Sequence, residues 1–239
     1  MKPREGHMKV AKRILAYLKC FPKGRLIFDT SYPDHSGYKY ETQDWSVLYP
    51  DAEEELPYDM LEPKGKSVRM TVYVDADHAH DLVTRRSVTG VLVFLNNTPF
   101  RWVSKRQKTV ETSTYGSELV AARVATELIM EIRYQLRMLG VPINEPALML
   151  GDNMSVVMNT TLPSSVLKKK HNAIAYHRVR EAIAAKVINF AHIRSEDNIA
   201  DILTKPLPNQ SFYKLSRKWL FRQPKYLEEI RKEEKTKKD

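Results

Sequence analysis

Cysteine and glycine are scarce in this chain of 239 residues, and each scarcity excludes a class of site. The single cysteine, Cys20, excludes an internal disulfide and a zinc cluster built from cysteines. The eight glycines lie too far apart to form the glycine-rich loops that cradle nucleotide phosphates. A nucleotide cofactor held by such a loop is therefore not expected.

Long apolar runs are also absent from the sequence. No run reaches the roughly 18 residues that a membrane-spanning helix needs. The first residues, MKPREGHMKV, lack the apolar core of a signal peptide. We therefore expect a protein without a signal peptide or a transmembrane segment, and without a membrane as its partner.

Positive charge is what the sequence has in excess. Lysine and arginine number 39 against 29 aspartates and glutamates, which gives a formal net charge of +10. Such an excess favours polyanions, such as nucleic acids, as partners. The share of hydrophobic residues, 42%, is that of an ordinary folded protein, so wholesale disorder is not expected.

The order of the predicted elements indicates an α/β fold. Strands are predicted at residues 68–74, 88–95, 100–104, 147–150 and 187–193. A long amphipathic helix is predicted over residues 113–139, and shorter helices alternate with the last strands. This order predicts a five-stranded mixed sheet flanked by helices, with a further helical flank at the N-terminus.

Composition divides the chain into four predicted parts. These are an N-terminal helix and strand (1–29), a linker (30–67), the α/β domain (68–207) and a C-terminal helix with a charged tail (208–239). The linker is predicted because its residues are rich in proline, tyrosine and acidic types and show little apolar periodicity.

Four acidic residues stand where a purely structural role is hard to find. Asp75 ends a strand, Glu118 lies in the first turns of the long helix, Asp152 follows the fourth strand and Asp201 interrupts an apolar helix start. Carboxylates near a core are costly unless they are paired or bind a metal, and Mg²⁺ prefers oxygen ligands. Two such ions about 4 Å apart can promote phosphodiester hydrolysis.

Each acid also has an ordinary alternative. Asp75 could simply end a strand, and Asp152 could cap a turn or a helix. Glu118 could be an ordinary carboxylate near a helix start, where the helix dipole favours a negative charge. Asp201 could pair with Lys205, four residues further along the same helix. Spacing alone leaves these alternatives open.

Five strings of this sequence resemble one known family. They are YVDADHAHDLVTRRSVTG, RWVSKRQKTVETSTYGSELVAA, GDN, KKKHNAIAYHRVRE and ADILTKPL. Together they resemble the ribonuclease H region of copia-type retrotransposon Pol polyproteins, over residues 71–207. Residues 7–20, HMKVAKRILAYLKC, are similar to the C-terminal end of the reverse transcriptase that precedes this region.

The resemblance implies a ribonuclease H-like fold and a reaction. It implies endonucleolytic hydrolysis of the RNA strand of RNA–DNA hybrids, with two Mg²⁺ ions, for which Mn²⁺ can substitute, held by Asp75, Glu118, Asp152 and Asp201. Asp77 is interpreted as a nearby acid that is not a ligand. The residues upstream of 30 would be a remnant of the reverse transcriptase, and the rest of that polyprotein would be a partner.

The resemblance also bears on cellular location and on DNA synthesis. It implies an intracellular protein in a cytoplasmic particle or the nucleus. The Tyr-x-Asp-Asp signature of the polymerase palm does not occur in this sequence, so polymerase activity is not expected.

Basic and polar residues around the acids are expected to bind the hybrid, because such mixtures suit contacts to phosphates and ribose hydroxyls. The predicted nucleic-acid-binding residues are Arg85, Arg86, Ser87, Trp102, Ser104, Lys105, Gln107, Ser113, Asn153, Lys170 and His171. The alternative is a solvated basic loop with Trp102 in the core.

One departure from related enzymes concerns a histidine. Cellular and retroviral ribonucleases H carry a mobile histidine before the last aspartate, whereas here Glu196 falls nearest that position and His192 is predicted to lie in a strand. A rival interpretation of the whole chain is a catalytically inert nucleic-acid-binding remnant. Loss of an acidic ligand would favour that rival, and none of the four acids is lost.

Overall fold

The computed structural model describes residues 4–167 and 169–221. Its strands are β1 (Arg25–Leu26), β2 (Met70–Asp77), β3 (Val88–Leu95), β4 (Thr98–Arg106), β5 (Ala147–Gly151), β6 (Ile188–His192) and β7 (Leu220–Phe221). Its α-helices are α1 (Glu5–Cys20), α2 (Thr114–Met138), α3 (Met154–Thr161), α4 (Ala173–Ala184), α5 (Asp201–Thr204) and α6 (Asn209–Ser216). Lys168 and residues 222–239, which make up most of the predicted charged tail, lie outside the described residues.

A five-stranded sheet in the order β4-β3-β2-β5-β6 forms the centre of the fold. Strands β2, β3 and β4 pair antiparallel, with a tight turn at Asn96–Asn97, while β5 and β6 run parallel to β2. The predicted α/β fold class, a five-stranded mixed sheet flanked by helices with an N-terminal helix, is confirmed. The sheet is mixed because the first three strands are joined by short connections and the last two by helices.

The long helix α2 packs against the sheet through one apolar stripe, whose members include the fully buried Leu119 and Ile129. The Ser113 side chain caps its N-terminus by accepting a hydrogen bond from the Gly116 amide at 3.3 Å. This cap fixes where the helix begins. Glu118 therefore lies in the second turn, facing the protein interior.

Residues 28–215 form one compact unit, and both predicted boundaries of the α/β domain, at 67 and 207, fall inside it. Residues 4–27 and 216–221 belong to a second unit, which contains α1 and the two-stranded antiparallel pair β1–β7. Four apolar side chains of α1 are exposed: Val10, Ile14, Leu15 and Leu18. Among the described residues, no helix is both long enough and apolar enough to cross a membrane.

The 30–67 segment differs from the predicted linker because single side chains attach it to the α/β domain. Trp45 is buried, and the Arg180 guanidinium lies 4.7 Å from its ring centroid. The Glu54 carboxylate accepts hydrogen bonds from Arg133, at 2.7 and 2.9 Å, and from Arg137, at 2.6 and 3.3 Å. These contacts follow no periodic pattern, which is why the composition of the segment does not show them.

The Glu54 cluster yields a stability prediction. We expect Glu54→Ala to lower the free energy of unfolding by about 3 kcal/mol, because it leaves a buried guanidinium without its carboxylate. The Arg133 side chain is only 3% exposed. Urea denaturation followed by circular dichroism measures the change, with the exposed neighbour Glu55→Ala as the matched control. Equal stability of the two variants would contradict the prediction.

Candidate active site

Three carboxylates from different elements converge at one end of the central strand. Asp75 lies in β2, Glu118 in α2 and Asp152 directly after β5, and each offers an oxygen within 4.8 Å of the others. Val74 and Gly151 are register partners on the parallel strands β2 and β5, so the aspartates that follow them are neighbours. The strand register therefore brings two of the three acids together.

Glu118 is buried beside two other acids, and its pKa reflects this position. Burial, and after it the charges of Asp75 and Asp152, raise the pKa of Glu118 to about 9. A hydrogen bond from the Ala76 amide opposes this shift without cancelling it. Without a compensating cation, the carboxyl group therefore keeps its proton at neutral pH.

Asp201 joins the cluster from the short helix α5. Burial, and after it the charge of Asp75, raise the pKa of Asp201 to about 6. Lys205 Nζ lies 3.0 Å from Asp201 Oδ1 and 3.9 Å from Asp75 Oδ2. The ion pair between Asp201 and Lys205, considered above as an alternative, is thus present. It lies next to Asp75, so it does not separate Asp201 from the other acids.

Hydrogen bonds hold α5 and the residues before it against the sheet. The Thr204 hydroxyl donates to Asp75 Oδ2, and the Asn198 side chain donates to the Val74 carbonyl at 2.9 Å. Gly90 on β3 permits the close approach, because a Cβ atom there would lie 2.6 Å from Thr204 Cγ2. Asn198 and Thr204 carry no charge, and of the two only Thr204 lies in a string of the family resemblance, ADILTKPL.

The donor set fits a divalent cation. Asp75, Glu118, Asp152 and Asp201 offer only oxygen ligands, which Mg²⁺ prefers. Burial also raises the pKa of Asp75, and the charge of Asp152 adds to this shift. Because neighbouring acids raise the pKa values of Glu118 and Asp201 as well, these acids oppose one another's ionisation. A doubly charged ion among them relieves that repulsion. Asp75, Glu118 and Asp152 form the tightest group and could hold such an ion, with Asp201 beside them.

The loop between β2 and β3 presents two of the predicted nucleic-acid-binding residues. Arg85 is exposed with a positive φ of 56°, and Arg86 is half-buried. Asp81 organises this loop by accepting hydrogen bonds from the amides of Val83 and Thr84, each at 3.0 Å. The arginines are therefore displayed on an ordered turn.

The edge strand β4 presents a second group of predicted contacts. Trp102 is 51% exposed, so the alternative that places it in the core is wrong. Lys105 is exposed on the same strand. Ser104 is exposed as well, but its hydroxyl donates to the Leu203 carbonyl at 2.6 Å. The strand can therefore offer an aromatic ring and a cation to a ligand.

Two predicted nucleic-acid-binding residues are buried, and internal hydrogen bonds occupy them. Ser87 accepts a hydrogen bond from the Ala79 amide at 3.0 Å. Gln107 donates to the Thr89 hydroxyl at 3.0 Å and to the Ser117 carbonyl at 2.8 Å. Both residues position the loops around the site instead of offering surface, so we correct their predicted role.

The remaining predicted contacts lie near helix starts. Lys169 Nζ donates to the Ser113 hydroxyl at 2.7 Å, which joins the segment before α4 to the start of α2. Lys170 is exposed, and His171 Nε2 lies 3.3 Å from the buried carboxylate of Glu111.

Asn153 and His192 lie beside Asp152. The Asn153 side chain caps α3 by accepting from the Val156 amide at 3.2 Å. His192 lies in β6, as predicted, and its Nε2 is 3.1 Å from the Asp152 carbonyl oxygen. Both residues therefore contribute to the position of this acid.

The raised pKa of Glu118 predicts the pH dependence of stability in the metal-free chain. The unfolded glutamate ionises near its ordinary pKa of 4.5 and the folded one near 9, so stability present below pH 4.5 is lost progressively as pH rises towards 9. We expect Glu118→Gln to be more stable than the parent by about 2 kcal/mol at pH 8 in EDTA. Urea denaturation at pH 5 and pH 8 measures this, and Glu127→Gln, exposed on the same helix, serves as control. A Glu118→Gln variant that is less stable than the parent at pH 8 would refute the prediction.

Comparison with known proteins reveals relatives among transposon polyproteins. The retrovirus-related Pol polyprotein from transposon RE2 of Arabidopsis thaliana is 31% identical over 155 residues, which cover 65% of this chain and 11% of the relative. The corresponding polyprotein from transposon RE1 of the same plant is 27% identical over 216 residues, which cover 90% of this chain and 12% of the relative. No family model matches the chain.

Among solved structures, ribonuclease H1 from the archaeon Halobacterium salinarum NRC-1 is similar, with 14% identity and a TM-score of 0.45 over 57% of this chain and 94% of that one. The chain spans about a tenth of the length of the curated relatives it matches. The predicted relationship is confirmed: the chain is a homologue of part of the retrovirus-related Pol polyproteins of plant transposons.

Proposed function

We propose that the chain hydrolyses the RNA strand of RNA–DNA hybrids endonucleolytically, as the ribonuclease H part of a retrotransposon reverse transcriptase. The observation that carries this proposal is the convergence of Asp75, Glu118 and Asp152 within 4.8 Å, in a homologue of Pol polyproteins. Because the chain spans only about a tenth of those relatives, the remaining polyprotein is a proposed partner.

In this proposal Asp75, Glu118, Asp152 and Asp201 hold two Mg²⁺ ions. When bound, such ions supply an activated water and stabilise the leaving oxygen of a phosphodiester. The chain's own contribution is geometric. The β2–β5 register and the capped start of α2 fix three carboxylates, and Thr204 restrains Asp75.

Substrate binding is proposed for the exposed groups around these acids. Arg85, Lys105 and Lys170 are cations that would contact phosphates without reading sequence. Trp102 offers an exposed ring on which a base or a sugar can stack.

Replacement of one carboxylate tests the reaction. We expect Asp152→Asn to reduce cleavage of a labelled RNA–DNA hybrid in Mg²⁺ by at least about a thousandfold, because it removes a charged ligand. The change keeps the shape of the side chain, so folding should persist, and EDTA should abolish parental cleavage. If the Asp152→Asn variant cut the hybrid as fast as the parent, the assignment would be wrong.

A matched control lies two residues from Asp75. Asp77 carries the same carboxyl group but lies 2.5 Å from His80 Nδ1, and it is not part of the three-carboxylate group. Cleavage by Asp77→Asn should stay within about threefold of the parent, because no ligand is lost. Hybrid binding without cleavage by the parent chain would instead support the inert binding remnant.

Substitution of the exposed tryptophan tests the binding surface. We expect Trp102→Ala to raise KM for the hybrid about tenfold, since stacking on an aromatic ring contributes about 1–3 kcal/mol per base. The value of kcat should change much less, because the carboxylates are untouched. Steady-state kinetics measure both, with Tyr58→Ala as control for the loss of an exposed aromatic ring elsewhere. An unchanged KM would show that Trp102 is not part of the hybrid-binding surface.

A further inference from the structure

The ammonium group of Lys205 lies among the carboxylates of the proposed metal site. Its Nζ is 3.0 Å from Asp201 Oδ1 and 3.9 Å from Asp75 Oδ2. The Asp75 side chain is almost fully buried, whereas the Lys205 side chain remains 36% exposed. A single positive charge therefore reaches the acids from the solvent side.

The backbone of Lys205 is anchored while its side chain can move. Lys205 follows the last residue of α5, where the chain becomes extended with φ −139° and ψ 151°. Thr204 immediately before it is hydrogen-bonded to Asp75, which holds the base of the lysine in place. The four-carbon stem can then rotate towards solvent without disturbing the fold.

We propose that Lys205 is a tethered cation that occupies the carboxylate cluster of the metal-free chain and competes with divalent ions for Asp75 and Asp201. This inference rests on the proposed function for the identity of the site. Like-charged carboxylates at this spacing repel one another strongly, and a lysine between them offsets that repulsion. A divalent ion that binds here must displace the ammonium group or bind against its electrostatic repulsion. The lysine therefore lowers the apparent affinity of the site for the ion.

The same lysine should therefore have two opposite effects. It should stabilise the metal-free fold, in which no other charge offsets the buried acids, and it should weaken the binding of a metal ion. A merely structural ion pair between Lys205 and Asp201 would show the first effect without the second. Metal affinity is therefore the quantity that separates the two interpretations.

The test is a titration of the full chain with Mn²⁺, in which electron paramagnetic resonance follows the free ion at pH 8.5. The variants are Lys205→Met, which removes the charge, and Lys205→Arg, which keeps it. Lys214→Met is the matched control, because Lys214 Nζ also lies 3.0 Å from a carboxylate, Asp197 Oδ1, outside the cluster.

We expect Lys205→Met to bind Mn²⁺ about tenfold more tightly than the parent, and Lys205→Arg and Lys214→Met to bind like the parent. In EDTA, Lys205→Met should melt at a lower temperature than the parent, and saturating Mn²⁺ should remove the difference. Equal or weaker Mn²⁺ binding by Lys205→Met would overturn the inference. Should that variant fold poorly in EDTA, Lys205→Gln provides the same comparison.

Failure of this inference can be told apart from failure of the proposed function. If the parent cuts the hybrid and binds Mn²⁺ but Lys205→Met binds no more tightly, only the role of Lys205 is refuted. If the parent binds no Mn²⁺, both the metal site and the competing lysine are refuted together.

Discussion

Repulsion among buried carboxylates is the constraint on which the rest of the site depends. Asp75, Glu118 and Asp152 come from a strand, a helix and a strand end, and their oxygens lie within 4.8 Å. Burial, and after it the charges of neighbouring acids, raise the pKa values of Asp75, Glu118 and Asp201. The β2–β5 register, the cap of α2 and the hydrogen bonds of α5 keep the acids in place despite this repulsion.

Much of the fold and the acids of the site could be predicted from the sequence. The strand patterns predict the five-stranded sheet, and Asn96–Asn97 marks the turn between β3 and β4. The four acids stand out because they interrupt apolar strings, and the family resemblance then gives them a common role. A residue's place in such a string can be read without a structure, so this part of the prediction needed the sequence alone.

Other features depend on three-dimensional surroundings that residue types do not reveal. Gln107 is as polar as any residue on a binding surface, yet it is buried and joins β3 to the start of α2. The sequence also presents the Asp201–Lys205 pair as an alternative to a shared site. In the structure Asp201 pairs with Lys205 and also lies beside Asp75, because α5, which allows the pair, lies against Asp75.

The attachment of the 30–67 segment constrains how the sequence of this protein can evolve. One carboxylate, Glu54, accepts hydrogen bonds from two guanidinium groups on α2, those of Arg133 and Arg137, which lie 79 and 83 residues further along the chain. Loss of Glu54 leaves two guanidinium groups without their carboxylate, and loss of both arginines leaves the carboxylate without a partner, so the three positions cannot drift independently. In an alignment of relatives, positions 54, 133 and 137 should therefore covary.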